Sequence, residues 1–274
     1  MSDGRFVFEG RLAVIGGGRM GEAIIKGLLE AGSIAPERIV VAEPDVRRRE
    51  THRAAHGVGA VADGSEAVAD ADVVLLAVKP QVIDTVVRGL ANALDRALVV
   101  SIAAGVSIAR LESLLPMGTA VVRVMPNTPA MVGAGMSVVS GGSEASTEQV
   151  DLVRALFAEL GDAIVLDERC QDAAGAISGC GPAYVALFID ALARAGVRHG
   201  LPRDVAQHLA VQTIKGTAQL ISVTGQHPEQ LVDAVTSPGG TTIAALEVLE
   251  ARGFRAALAD AVSAAVSRSK ELGG

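Results

Sequence analysis

The sequence predicts an α/β fold in which a doubly wound, mostly parallel sheet domain precedes an all-α domain. Short apolar runs alternate with stretches of helical spacing as far as residue 165, and after about Asp167 only helical spacing remains. Strands that alternate with helices are typical of a parallel sheet with helices on both faces. The change of period marks the boundary, so we expect a sheet domain over residues 1–167 and a helical domain over residues 168–274.

The predicted strands are short and almost wholly apolar, as is typical of strands that are buried on both faces of a sheet. Most segments between them carry apolar residues at three- and four-residue spacing, which predicts crossover helices. Strands are expected at 11–16, 38–43, 58–60, 73–78, 98–102, 120–124, 136–139 and 163–165, with helices at 20–31, 45–56 and 64–69 among them.

The second part of the chain predicts helices alone, rich in alanine and valine, and Gly181-Pro182 interrupts the first of them. One small bundle could not bury so many apolar side chains. We therefore expect a homodimer formed by this domain, and further assembly of that dimer. The helices are expected at 171–198, 203–223, 227–235, 241–251 and 253–271.

Composition argues against several classes of function. A net charge of −7 over 274 residues, without a basic patch, disfavours nucleic-acid binding. The apolar run 97–106 is far shorter than the roughly 20 residues of a membrane span, and residues 1–10 lack the long apolar core of a secretory signal. Cys170 and Cys180 are too few for a disulfide scaffold or a metal site, which favours reduced thiols in a cytoplasmic protein.

A glycine-rich turn follows the first predicted strand and opens the first helix. Residues 16–21 match the pattern G-x-G-x-x-G in its proper context. Gly16 permits the tight turn, Gly18 lets a pyrophosphate approach the backbone, and Gly21 lets the helix pack closely on the strand. The second strand ends in Glu43, about 20 residues further on, where an acid would hold a ribose hydroxyl. The combination predicts a Rossmann domain with a dinucleotide site.

Two further loops follow predicted strands, at the carboxyl edge where ligands of doubly wound sheets bind. Lys79-Pro80 comes after the fourth strand, and its backbone and lysine would face the cofactor; a loop with a solvated lysine is an equally good interpretation. Asn127 follows the sixth strand and could hold a nicotinamide amide or the substrate. The alternative is a turn in which Asn127 uses its side chain for its own backbone contacts.

Near the C-terminus, residues 237–242 (Ser-Pro-Gly-Gly-Thr-Thr) run directly into the predicted helix 241–251. The first amides of a helix have no internal partner, and the helix dipole favours a bound carboxylate there by about 0.3 to 2 kcal/mol. The segment therefore predicts a pocket for a small anion. The alternative is a plain helix start, with Ser237 as N-cap and Pro238 at the first helical position.

Five segments resemble one family, the pyrroline-5-carboxylate reductases, and they occur in that family's order. The glycine turn is shared by very many dehydrogenases, whereas the last two segments are specific to this family. Together they extend the resemblance over essentially the whole chain. The segments are residues 16–23 (GGGRMGEA), 76–81 (LAVKPQ), 124–129 (VMPNTP), 178–184 (SGCGPAY) and 237–242 (SPGGTT).

The resemblance implies an imine reductase that transfers hydride from NADPH or NADH to the C=N bond of L-1-pyrroline-5-carboxylate. The product is L-proline, and the reaction is the last step of proline biosynthesis. A protonated cyclic imine is already an electrophile, so the enzyme needs positioning and a hydrogen-bond donor more than a strong acid.

The resemblance also implies roles for individual residues. Thr242 would hydrogen-bond the ring nitrogen, and Glu168 would lie between cofactor and substrate. The alternatives are a helix-start hydroxyl that satisfies backbone and a solvated turn residue. The implied substrate residues are Gly239, Gly240, Thr241 and Thr242, and the implied cofactor residues are Gly16, Gly18, Arg19, Met20, Gly21, Glu43, Ala77, Val78, Lys79, Pro80 and Asn127.

The chain departs from the family's pattern at the adenosine end of the cofactor. A carboxylate at Glu43 repels a 2′-phosphate, which favours NADH, whereas Arg47-Arg48-Arg49 could supply a partner for that phosphate. The preference between the two cofactors therefore stays open. Gly64 and Ala234 stand where other members supply asparagines to the cofactor.

Two other functions fit parts of the sequence. A β-hydroxyacid or other imine dehydrogenase would commonly place a lysine on the long helix after the sheet, and residues 172–194 contain none. A catalytically silent dinucleotide sensor would use the helical domain to bind a partner. Such a sensor has no need of a second anion site, and the loop 237–242 therefore argues against it.

Overall fold

The computed structural model describes residues 6–94 and 96–273, so residues 1–5 of the predicted sheet domain lie outside the described residues. The chain divides into two compact units. The sheet unit runs to Cys180 and includes the C-terminal segment from Ala265, and the helical unit is Gly181–Ala264. The expected domain boundary between residues 167 and 168 stays a prediction, and the division into compact units falls after Cys180.

The sheet unit contains eight strands in the order β3-β2-β1-β4-β5-β6-β7-β8. All neighbours are parallel except β6 and β7, so the predicted mostly parallel sheet is confirmed. The strands are β1 Leu12–Ile15, β2 Ile39–Ala42, β3 Gly59–Val61, β4 Val73–Leu76, β5 Leu98–Ser101, β6 Val121–Met125, β7 Gly135–Gly141 and β8 Gly161–Val165.

Helices cover both faces of this sheet, and the central strands β1 and β4 are accordingly apolar throughout. Along β1, Leu12 and Val14 join one buried cluster, whereas Ala13 and Ile15 join another on the opposite face. The helices are α1 Arg19–Ala31, α2 Val46–His56, α3 Gly64–Val68, α4 Ile83–Leu90, α5 Ile108–Leu114, α6 Thr147–Ala158 and α7 Gln171–Ala174. Helices α1 and α6 contribute to the first cluster, and α4 and α5 contribute to the second. The doubly wound architecture is thus confirmed.

After α7 a π-helical turn, Gly175–Gly179, precedes the next helix, so the predicted interruption falls immediately before Gly181. The last helices are α8 Gly181–Arg198, α9 Arg203–Thr224, α10 Pro228–Ala234, α11 Thr241–Ala251 and α12 Phe254–Gly273. Helices α9 to α12 lie within two residues of their predicted bounds, and α8 is the part of the predicted helix 171–198 that follows the interruption.

Helices α8 and α9 of the helical unit pack closely through small residues. The buried residues of this unit include Ala193, Ala206 and Ala210. A Cβ atom on Gly196 would lie 3.1 Å from the Cβ of Ala206, which shows how close the two backbones are. Larger apolar side chains of the unit are left exposed in the single chain, among them Leu187, Leu192, Leu209, Leu220, Val223 and Val248.

One helical stretch among the described residues, Glu168–Arg198, is long and apolar enough to span a membrane by length and composition alone. Core helices of soluble proteins pass the same test, so this is weak evidence for a span. Both cysteines of the chain are free, with Cys170 half-buried and Cys180 exposed.

Candidate functional site

The glycine turn between β1 and α1 has the geometry that its sequence predicts. Gly16 adopts a left-handed φ of 107°, and a Cβ atom there would lie 2.9 Å from the Ala77 carbonyl oxygen. A Cβ atom on Gly21 would lie 2.4 Å from the Gly16 carbonyl oxygen, so α1 packs against the turn itself. Gly18 is the N-cap of α1, and a Cβ atom on it would meet nothing within 4 Å. The space in front of the helix start is therefore accessible to a ligand.

Glu43 lies directly after β2 and points its carboxylate at the turn. One oxygen, Oε2, accepts from the Gly17 backbone amide at 3.1 Å, and Oε1 accepts from the Asp45 amide at 3.0 Å. The residue is only 5% exposed. The acid predicted to hold a ribose hydroxyl thus also fixes the conformation of the glycine turn, a second role that the sequence pattern did not indicate.

The three arginines that follow Glu43 differ in their contacts. Arg49 donates to the backbone oxygens of Glu43 and Pro44, both at 2.7 Å. Arg47 is exposed, and the exposed Arg48 places Nη1 3.7 Å from Oε2 of Glu43. Arg49 is therefore occupied at the end of β2, Arg48 forms an ion pair with the Glu43 carboxylate, and Arg47 is exposed on α2.

A cavity of about 440 Å³ lies beside the turn, at the carboxyl ends of several strands. This is the edge where doubly wound sheets bind ligands, and the volume lies in the range of small-molecule sites. Gly16, Gly64 and Val78 of its wall were named from the sequence, whereas Val82, Val86 and Leu90 were not, because apolar side chains at helical spacing give no sign of a ligand. The lining includes Ile15, Gly16, Ala42, Pro44, Ala62, Asp63, Gly64, Ser65, Val78, Val82, Val86 and Leu90.

The loop after β4 borders the same region. The Ala77 amide donates to the Ile15 carbonyl at 2.9 Å, which continues the pairing of β1 and β4 beyond the strands. Lys79 is exposed, and it precedes the 3₁₀ turn Pro80–Val82. The backbone of this loop is thus beside the glycine turn, whereas the lysine side chain is free to move in solvent.

Asn127 follows β6 and uses both ends of its side-chain amide within the sheet unit. Its nitrogen donates to the Ser178 carbonyl at 2.9 Å, and its oxygen accepts from the Met136 amide at 2.9 Å. The residue is 8% exposed. In the alternative interpretation, the Asn127 side chain makes backbone contacts within its own turn. The observed contacts are also with backbone groups, but those groups lie on other segments of the chain. A contact from Asn127 to nicotinamide stays a prediction.

Glu168 lies at the junction after β8, and its carboxylate is held by two donors. Oε1 accepts from the Ile108 amide at 2.7 Å and from Arg123 Nη1 at 3.0 Å. The Arg123 side chain is 9% exposed and that of Glu168 is 29% exposed. Glu168 is therefore part of a mostly buried ion pair and not a fully solvated turn residue. Its predicted place between cofactor and substrate stays a prediction.

The loop before α11, in the helical unit, presents an uncapped helix start. The Gly240 amide donates to the Ser237 carbonyl at 3.0 Å, and Gly239 has φ of 66°. In the four-residue turn 237–240, proline at the second position and a glycine with positive φ at the third are typical of a type II turn. Helix α11 begins at Thr241 with Gly240 as its N-cap. The alternative start, with Ser237 as N-cap, is wrong, because Ser237 belongs to the turn.

Two glycines shape this helix start. A Cβ atom on Gly240 would lie 2.4 Å from Ser237 Oγ, so the turn closes tightly. A Cβ atom on Gly239 would meet nothing within 4 Å, which leaves open space at the tip of the turn. The amides of Thr241 and Thr242 belong to the first turn of α11, where backbone donors have no partner within the helix. Thr242 is half-buried. The geometry suits a small anion.

Arg255 connects the two helices on either side of this loop. It donates to Glu250 at 2.7 Å and to Glu229 at 2.8 Å, on α11 and α10 respectively. These hydrogen bonds, that to Glu250 first, raise the pKa of the Arg255 guanidinium above its ordinary value. The group therefore stays charged at every physiological pH. In the sheet unit, Arg110 similarly lowers the pKa of Asp84 through a hydrogen bond.

Two family models match the chain. A model for pyrroline-5-carboxylate reductase dimerisation matches residues 168–272. A model for coenzyme F420-dependent NADP oxidoreductases matches residues 11–105. The first match covers the helical unit, and the second covers the glycine turn and the strands around the cavity.

Curated relatives are similar over almost their whole length. A pyrroline-5-carboxylate reductase from Synechocystis is 49% identical over 96% of this chain and 98% of the relative. Those from Corynebacterium melassecola and Escherichia coli are 43% and 38% identical, each over 96% of this chain and 98% of the relative.

Solved structures agree with the sequence relatives. A pyrroline-5-carboxylate reductase from Coxiella burnetii matches with a TM-score of 0.92 at 36% identity, covering 97% of this chain and all 100% of that one. A Plasmodium falciparum pyrroline carboxylate reductase with NADP bound matches with a TM-score of 0.89 at 33% identity, over 98% and 100%. With a similar sequence and fold over nearly its whole length, this chain belongs to the pyrroline-5-carboxylate reductase family.

Proposed function

We propose that the chain reduces the C=N bond of L-1-pyrroline-5-carboxylate to give L-proline, with NADPH or NADH as the hydride donor. The observation that carries this function is the pair of helix starts without a side-chain cap, at the glycine turn before α1 and at the loop before α11. A reductase needs the first for a dinucleotide and the second for the substrate carboxylate. The family membership supports the same reaction.

The residues around the glycine turn fit a dinucleotide. The backbone amides of the first turn of α1, which follow Gly18, suit a pyrophosphate, because a Cβ atom on Gly18 would meet nothing within 4 Å. The neighbouring cavity of about 440 Å³, largely apolar, suits an adenosine group. When bound, the reduced nicotinamide supplies the hydride. The chain's own contribution is to hold the cofactor through Gly16–Gly21, Glu43 and the loop Ala77–Pro80.

The loop before α11 would hold and orient the substrate. The backbone amides of residues 239–242 would donate to the substrate carboxylate, and the partial positive charge of the helix start would favour it. The Thr242 hydroxyl would hydrogen-bond the ring nitrogen. Because the protonated imine is already electrophilic, binding and orientation supply most of what the reaction requires. Glu168 is proposed as the acid between cofactor and substrate.

The direct test is a pair of initial-rate measurements with purified protein. We expect NADH or NADPH to be oxidised only when pyrroline-5-carboxylate is added. Absence of turnover with both cofactors would refute the proposed reaction. A sensor would bind a cofactor without turnover, and titration of L-proline against the cofactor-bound protein would then show no coupling between the two ligands. For the reductase we expect the two ligands to affect each other's binding.

We further propose that Glu43 sets the preference towards NADH. Its carboxylate is buried beside the turn and would repel a 2′-phosphate, and Arg49 is already occupied by backbone oxygens. We expect Glu43→Gln to raise the ratio of kcat/KM for NADPH to kcat/KM for NADH by about fivefold, the effect of roughly 1 kcal/mol of repulsion. The glutamine keeps an oxygen for the Gly17 amide, whereas its NH2 group, which can only donate, replaces the oxygen that accepts from the Asp45 amide.

A matched control for Glu43→Gln is Glu50→Gln, which removes the same charge from an exposed position of α2. It is expected to leave the ratio unchanged within twofold. Equal ratios in wild type and Glu43→Gln would show that the carboxylate does not determine the preference.

The helical unit is proposed to form a homodimer. Its exposed apolar side chains, such as Leu187 and Leu209, would be buried against a second copy, and the matching family model describes dimerisation. The same burial explains why the stretch Glu168–Arg198 is so apolar without a membrane. Assembly beyond the dimer is part of the same proposal. We also propose a cytoplasmic location, which the family's biosynthetic function supports.

A further inference from the structure

Resting on the proposed cofactor binding, we propose that His52 is a positioning residue for the dinucleotide. It holds the carbonyl group of Gly17 and thereby keeps the glycine turn in the conformation that binds the pyrophosphate. His52 lies on α2, 35 residues along the chain from the turn. The sequence pattern of the turn gives no sign of it.

The hydrogen bond defines the state of the imidazole ring. His52 is 2% exposed, and its Nε2 lies 3.0 Å from the Gly17 carbonyl oxygen. A carbonyl oxygen can only accept, so Nε2 carries the proton and donates it. The other nitrogen, Nδ1, is buried and has no hydrogen-bond partner among the described residues. A proton on Nδ1 would therefore lack an acceptor, so the tautomer with the proton on Nε2 is the one that fits.

Gly17 is held from both sides. Its carbonyl accepts from His52, and its amide donates to Glu43 Oε2 at 3.1 Å. A Cβ atom at position 17 would lie 2.5 Å from His52 Nε2 and 3.2 Å from the Cβ of Glu43. The dinucleotide pattern leaves this position free, but in this chain a side chain here would force the His52 ring to move, which favours glycine.

This arrangement orders the backbone that precedes the ligand-binding amides. The open space lies at Gly18, immediately after the Gly17 carbonyl that His52 holds. Affinity for a ligand increases when the binding backbone is already ordered, because less conformational entropy is lost on binding. Removal of the His52 donor would free the Gly17 peptide on one side and would weaken binding of both cofactors alike.

The test measures dissociation constants of NADH and NADPH by fluorescence titration without substrate, on the full chain. We expect His52→Phe, which removes the donor but keeps a ring, to raise both constants about fivefold. His52→Gln can place its amide nitrogen near the position of Nε2 and is expected to remain within twofold of wild type. The shorter His52→Asn loses the bond and is expected to match His52→Phe. At saturating cofactor, kcat should change less than twofold in all three.

His56→Phe is the matched control. His56 lies one turn further along α2, its ring centroid is 5.8 Å from that of His52, and its Nε2 contacts Glu22 instead of the turn. It should leave both dissociation constants unchanged. If wild type binds a cofactor and the Phe and Asn variants bind it equally well, the inference is overturned. If His52→Gln loses as much cofactor affinity as His52→Phe and His52→Asn, the inference is also overturned, because altered packing alone would then explain the effect. If wild type binds neither cofactor, the proposed function itself fails.

Discussion

Gly21→Ala is expected to raise the dissociation constants for NADH and NADPH by about thirtyfold or more. The new Cβ atom would lie 2.4 Å from the Gly16 carbonyl oxygen. That atom is backbone of the ligand-binding turn and cannot rotate away, so α1 must move off the strand or the turn must move. Such overpacking is destabilising by about 1 to 3 kcal/mol, and about 2 kcal/mol corresponds to thirtyfold in binding. Fluorescence titration of each cofactor, with a thermal melt in parallel, measures both consequences.

Gly27→Ala distinguishes displacement of the turn from general damage to the helix. Gly27 lies on the same helix, and its Cβ atom would lie 2.1 Å from Leu160 Cδ2, a side-chain atom remote in sequence from the turn. This variant is expected to lower the melting temperature and to keep cofactor affinity within threefold. Should Gly21→Ala fold and bind NADH as tightly as Gly27→Ala does, the close approach of helix and turn would not be needed for binding.

Much of the fold could be predicted because its signals are local. Each strand and helix has its own period, and the observed bounds lie close to the expected ones, as β1 and α11 show. The antiparallel pairing of β6 and β7 was not predicted. Its cause is visible in the sequence afterwards: only residues 126–134 connect the two strands, and a parallel crossover needs a dozen residues or more.

The site was predictable only where backbone conformation carries the function. Gly16 and Gly21 have local reasons to be glycine, so the pattern located them. The contacts of side chains depend on which distant segments the fold brings together. Asn127 bonds a residue 51 positions away, and Glu168 pairs with Arg123 over 45 positions. His52 sits on a helix with a largely charged surface, where a histidine gives no signal at all.

Thr242→Ala is expected to lower kcat/KM for pyrroline-5-carboxylate by about tenfold or more. Thr242 is the second residue of α11, two positions after the uncapped start at Gly240, and it is half-buried. If its hydroxyl bonds the ring nitrogen while that nitrogen carries charge, the bond is worth about 1.5 to 3 kcal/mol, which exceeds a factor of ten in rate. Steady-state kinetics with saturating cofactor measure the effect, and the dissociation constant of the cofactor should not change.

Whether Thr242→Ala changes kcat or KM shows which state the Thr242 hydroxyl stabilises. An equal fall in kcat and kcat/KM means that the bond forms only in the transition state, whereas a rise in KM alone means that it also holds the bound substrate. Thr242→Ser keeps the hydroxyl and is expected to retain most of the activity, because the backbone amides of residues 239–242 are unchanged. Unaltered kinetics in Thr242→Ala would remove the hydroxyl from the proposed mechanism and would leave the backbone amides, proposed to bind the carboxylate, as the contribution of this helix start.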